Sequence, residues 1–122
     1  MNSASQDDIL DLNRLHALFL LTGPDDAVEL QRRLIADLSA VSNTLAGQKT
    51  ASPVLREQSH ILMALSGTIG ADGLYHLATV LNDQSKAVAG AVDFGLLAQV
   101  VGKTEQVIAA LRVLRQARGP AP

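Results

Sequence analysis

The sequence predicts an all-α protein, an antiparallel four-helix bundle with an additional short N-terminal helix. Two observations carry that prediction. Apolar residues recur at three- and four-residue intervals in five successive stretches, the period of a helix with one buried face. No stretch alternates apolar with polar residues as a half-buried strand does, and no repeat of fixed period is present. Short breaks containing Gly or Pro separate the stretches, and helices joined by short loops pack as antiparallel neighbours.

The first helix is expected from Asp7 to Leu21, with Ile9, Leu12, Leu15, Leu18 and Phe19 in register. Thr22-Gly23-Pro24 ends it. Pro24, Asp25 and Asp26 open the second helix, because proline is preformed for a first turn and acids complement its free N–H groups. This helix runs to about Ala46 and is expected to bury Val28, Leu34, Ile35, Leu38, Val41 and Leu45. Gly47-Gln48-Lys49-Thr50 reads as a loop, and Ser52-Pro53 as a cap with a first-turn proline. The third helix covers about Pro53 to Thr68 and is closed by Gly70. A fourth, from Ala71 to about Ala89, carries Leu74, Leu77, Ala78 and Leu81.

Gly90-Ala91-Val92-Asp93 leads into the fifth helix, Phe94 to Ala117, with Leu97, Val100, Val101, Val107, Ile108, Leu111 and Leu114. Gly95 and Gly102 weaken its early turns, an interior glycine costing about 1 kcal/mol relative to alanine. Residues 1–6 and 118–122 are expected to be disordered tails. The whole chain, 122 residues, is expected to be a single domain.

Composition excludes several classes of function. The aromatic share is 2%, confined to Phe19, Tyr75 and Phe94, too few for a platform that stacks single-stranded bases. Ten Lys and Arg against 12 Asp and Glu leave a net charge of −2. No basic excess exists to neutralise a phosphate backbone, so no nucleic-acid partner is expected. The absence of cysteine removes disulfides, thiolate chemistry and Cys-based metal sites. The three histidines, His16, His60 and His76, lack the i, i+4 pairing of a helical metal site, so no metal and no cofactor are expected. Met1 to Asp8 is polar and acidic, unlike a signal peptide. The longest apolar run, Ala17 to Leu21, is five residues, far below the roughly 18–20 of a membrane span. A cytoplasmic, membrane-free protein is expected.

The third helix is the informative one. At about 100° per residue, Leu55, Ser59, Leu62, Ser66 and Ile69 fall within about 80° of one another and form the seam facing the core, with Leu65 at its edge. His60 lies roughly 140° from the centre of that seam. Its neighbours on the outer face are Arg56, Glu57, Met63, Ala64 and Gly67. The imidazole is therefore expected in solvent, beside side chains too small to block an approaching partner. A glycine inside a helix sacrifices stability, and close approach of a partner at Gly67 is one reason to keep it. Packing of the fourth helix against Gly67 is another. His16 and His76 read as ordinary surface or edge residues. Arg32, Arg33, Arg112, Arg115 and Arg118 read as solvated faces.

The pattern His60-x-Leu62-x-x-x-x-Gly67-x-Ile69-Gly70-Ala71-x-x-Leu74 resembles the signature of histidine-containing phosphotransfer (HPt) domains. Leu18-Phe19-Leu20 before Gly23-Pro24, and Leu77-x-x-x-Leu81, extend the resemblance over about Asp8 to Leu114. HPt domains are four-helix bundles that shuttle phosphoryl groups in multistep phosphorelays. The resemblance implies that His60 is the phosphorylated residue. Its Nε2 would take the phosphoryl group from the aspartyl phosphate of a response-regulator receiver domain and pass it to another. A free imidazole, with a pKa near about 6.5, is largely neutral and nucleophilic around neutrality. Phosphoryl transfer asks mainly for positioning and for stabilisation of three oxygens. In the family the Mg²⁺ and the acidic pocket belong to the receiver, and this chain shows no Walker loop and no carboxylate cluster of its own.

The resemblance further implies a monomeric phosphocarrier rather than a true enzyme, with no nucleotide site. Its partners would be a receiver domain, a hybrid histidine kinase or both, docking over Arg56, Met63, Ala64 and Gly67. Where the family has Lys three residues after the histidine and Gly four after, this chain has Met63 and Ala64. Where a glutamate is common near the end of the fourth helix, it has Asn82. Arg56, one turn before His60, is the available cation. A degenerate HPt-like module that binds a receiver or kinase without carrying phosphate is the alternative, and a helical adaptor or dimerisation domain is a third.

Overall fold

The computed structural model describes residues 9–48, 53–86 and 93–117. The expected tails, 1–6 and 118–122, lie outside the described residues. So do loop positions 49–52, the expected end of the fourth helix at Ala89, the link at 90–92, and the side chain of Leu114. Among the described residues the protein is all-α, with five helices and no strand: α1 (Leu12–Thr22), α2 (Pro24–Ala46), α3 (Pro53–Ile69), α4 (Asp72–Lys86) and α5 (Phe94–Ala117). Helix α1 packs against α2 and α3. Helix α2 packs against α3 and α5, α3 against α4, and α4 against α5.

The helix ends follow from local chemistry. Leu10 and Asp11 are non-helical, so the expected unbroken helix from Asp7 is interrupted there. The cause is Asp11, whose extended backbone and carboxylate cap α1 by accepting the Arg14 amide at 3.1 Å. Pro24 opens α2 with Asp25 and Asp26 in its first turn. Helix α5 is capped by Asp93, whose Oδ1 accepts the amides of Gly95 and Leu96 at 2.8 and 3.3 Å. That cap and a buried apolar face keep α5 continuous through Gly95 and Gly102.

The junction of α3 and α4 is the tightest corner. Gly70 has φ +79°, and the Ala71 amide donates back to the Ser66 carbonyl at 2.9 Å, the six-to-one bond of a Schellman stop. A Cβ on Gly70 would stand 2.8 Å from Asp11 Cβ. Asp11 also donates its amide to the Gly70 carbonyl at 2.8 Å, which seats the start of α1 on this corner. Glycine is thus required twice over, by the left-handed backbone and by the space.

The core lies between these faces. The α3 seam is buried as expected, at Leu55, Ser59, Leu62, Ser66 and Ile69. Helix α2 corrects one expectation: Val28 is 53% exposed, and Ala27 is buried in its place. In helical register Ala27 lies about 20° from Leu38, whereas Val28 lies about 80° away. Apolar character alone misassigned the residue. Helices α2 and α5 are joined through polar groups as well, since buried Gln31 donates Nε2 to the Leu111 carbonyl at 2.6 Å.

Candidate functional site

His60 stands on the outer face of α3, exposed, opposite the buried seam of the same helix. Burying Ser59 and Leu62 on the core side turns the two residues between them, His60 and Ile61, outward, as the helical period requires. The imidazole opens onto a groove of about 620 Å³ formed between α3 and α4. Pro53, Arg56, Glu57, His60 and Ile61 line it from α3, and Asn82 and Lys86 from α4.

The turn that carries His60 is tied down from behind. Asn82, 2% exposed, donates Nδ2 to the Arg56 carbonyl at 3.0 Å and to Ser59 Oγ at 2.9 Å. Ser59 Oγ in turn donates to the same Arg56 carbonyl at 3.1 Å. In helix register that carbonyl is also the partner of the His60 amide. A buried amide with its hydrogen bonds made holds two helices in a fixed register, because leaving it unpaired costs more than the bonds themselves contribute. No buried side-chain nitrogen or oxygen among the described residues lacks a partner.

The expected docking residues occupy different surroundings. The groove brings Arg56 and His60 together, but not Met63, Ala64 or Gly67. Ala64 is exposed. Met63 is half-buried and leans on the core, so its thioether serves packing and offers no charge. Gly67 is half-buried under Tyr75, whose ring carbons lie 3.5 and 3.7 Å from where a glycine Cβ would stand. Its carbonyl accepts from Arg14 Nη2 at 2.9 Å, and the same nitrogen pairs with Asp72 Oδ1 at 3.2 Å. Arg14 thereby sits where the carbonyl end of α3 favours a cation, and Asp72 where the amide end of α4 favours an acid.

Four of these residues escaped the sequence reading: Arg14, Asp72, Tyr75 and Lys86. Lys86 follows Asn82 by one turn, and that spacing alone places both on one face of α4. Nothing in the local pattern of α1 pointed Arg14 toward a carbonyl 53 positions away. His16 and His76 are exposed on α1 and α4, as ordinary surface histidines are. Among the described residues no group of three or more His, Cys, Asp or Glu could hold a metal ion. No helix among them is long and apolar enough to cross a membrane. On α2 the exposed side chains of Glu29 and Arg32 form an ion pair. There the hydrogen bond between the two side chains lowers the glutamate pKa and raises that of the arginine. Comparison with protein-family models, with curated proteins and with solved structures returned no match to this chain.

Proposed function

We propose that the chain is a histidine phosphotransfer domain, in which His60 accepts a phosphoryl group from a receiver aspartate and donates it to another. The observation that carries this reading is the placement of His60: exposed on the outer face of α3, at a groove mouth, on a turn held from behind by Asn82 and Ser59. An exposed imidazole on a rigid helix suits transfer between proteins, because the donor brings its own metal and acids and the acceptor need only present a nucleophile in line. The pairwise contacts around α2, α3, α4 and α5 support the finer architecture, an antiparallel four-helix bundle with α1 laid against one end.

The partners in this reading are a response-regulator receiver domain, a hybrid histidine kinase or both. The test is incubation with a phosphorylated receiver. The expected result is label on the wild-type chain that is acid-labile, base-stable and absent from His60→Gln. Failure of every receiver in a broad panel to label wild type would remove the reading.

Met63 motivates a second reading. Its side chain is committed to the core where the family carries a lysine, so a module that binds a receiver without carrying phosphate is the competing function. It is supported if receivers bind with equal affinity to wild type and His60→Gln while neither takes label.

A further inference from the structure

Resting on the phosphotransfer reading of His60, we propose that Arg56 and Lys86 form a two-sided holding site for the phosphoryl group on the His60 imidazole. The groove has cations on both walls: Arg56 on α3, one turn before His60, and Lys86 on α4. Among the described residues Glu57 is the one acid lining it, which leaves the cations in excess. The ion pairs among the described residues are Arg14–Asp72 and Arg32–Glu29, so neither Arg56 nor Lys86 is committed to a carboxylate there.

The spacing of the two walls is set by buried chemistry. Asn82 hydrogen-bonds the Arg56 backbone and lines the groove itself, and Lys86 stands one helical turn beyond it on α4. Changing either cation leaves that framework intact, because Arg56 contributes its carbonyl, not its guanidinium, to the Asn82 bond. A phosphoryl group on Nε2 carries up to two negative charges and three acceptor oxygens. Flanking donors from two helices stabilise its dianion over the protonated form.

The test uses a small-molecule donor, so that it does not depend on finding the receiver. Phosphoramidate is added to the full chain. The Nε2–P bond forms as the P–N bond of the donor breaks, and the donor nitrogen leaves as ammonium, taking up the proton that the imidazole gives up. The ³¹P resonance absent from His60→Gln is that of His60, which separates it from label on His16 or His76. Its titration midpoint is then compared in wild type, Arg56→Gln, Lys86→Gln, the Arg56→Gln/Lys86→Gln double variant and Lys86→Arg.

The expected midpoint is lowest in wild type and rises by about half a pH unit when both cations are neutralised, the size expected of two exposed charge pairs. Lys86→Arg restores it, which a merely structural role for Lys86 would not. Equal midpoints in all five proteins would overturn the proposal, as would failure of phosphoramidate to label His60. A shifted midpoint upholds the holding site even where no receiver transfers to His60.

Discussion

Asn82 donates its side-chain amide to Ser59 Oγ at 2.9 Å across the α3–α4 interface, one residue before His60. Both side chains are buried, so the pair fixes the register of the two helices at the point where the groove opens. Removing one partner strands the other in a dry place. Asn82→Ala is expected to destabilise the protein by about 1–3 kcal/mol in urea unfolding. A double-mutant cycle with Ser59→Ala should give a coupling of about 0.5–1.5 kcal/mol. Additive effects would show that the bond contributes nothing.

The two glycines of α3 and its stop should behave oppositely. Gly70→Ala must adopt φ near +79° and place a Cβ 2.8 Å from Asp11 Cβ. It is expected to cost about 1–3 kcal/mol. Gly67→Ala meets only the edge of Tyr75 at ordinary contact distance, and it should be neutral or stabilising by up to about 1 kcal/mol, as for glycine in a helix interior. Thermal melts of the two variants decide this directly.

His60→Gln replaces an exposed side chain with no hydrogen bond among those found in the structure. Its stability should stay within about 0.5 kcal/mol of wild type. A large loss in a chemical denaturation curve would mean that the ring has a packing role, and loss of label in that variant would then lose its meaning.

Arg14→Met removes a bond to the Gly67 carbonyl together with an exposed ion pair to Asp72. The carbonyl bond should account for most of an expected loss of about 0.5–1.5 kcal/mol. Asp72→Asn, which weakens only the exposed pair, should cost less than about 1 kcal/mol. Equal losses in the two variants would place the energy in the ion pair instead.

Met63→Lys introduces the residue that HPt domains, which the sequence resembles, usually carry at this position. A lysine stem can cover the same apolar surface while its ammonium reaches water, so the stability cost should stay below about 1 kcal/mol. If the phosphotransfer reading holds, label should then pass from a receiver to His60 faster. An unchanged rate would show that the charges already present at the groove suffice.

The sequence made the α3 face legible because one regular period runs the length of the helix. The seam Leu55, Ser59, Leu62, Ser66 and Ile69 follows the helical period, and all five residues are buried. That period alone puts His60 outside. Gly70 as a helix stop was equally readable, since its neighbours carry no rival stop. Val28 failed because hydropathy ranks it above Ala27, whereas packing selects by angle. The break at Leu10–Asp11 was hidden by the regular spacing of Ile9, Leu12 and Leu15. A carboxylate cap outweighed that spacing. Lys86, Tyr75 and Arg14 matter only through residues on other helices, and no one-dimensional pattern reports such a pairing.

Helix α1 is fastened to α3 at Gly67 and Gly70, about 10 and 15 Å along the axis from His60 at 1.5 Å per residue. An engineer can exploit that separation. A fluorescent dye or a fused reporter carried on α1 would leave the imidazole open to visitors, and the phosphotransfer proposed for the ring could be tested without the label standing in the doorway.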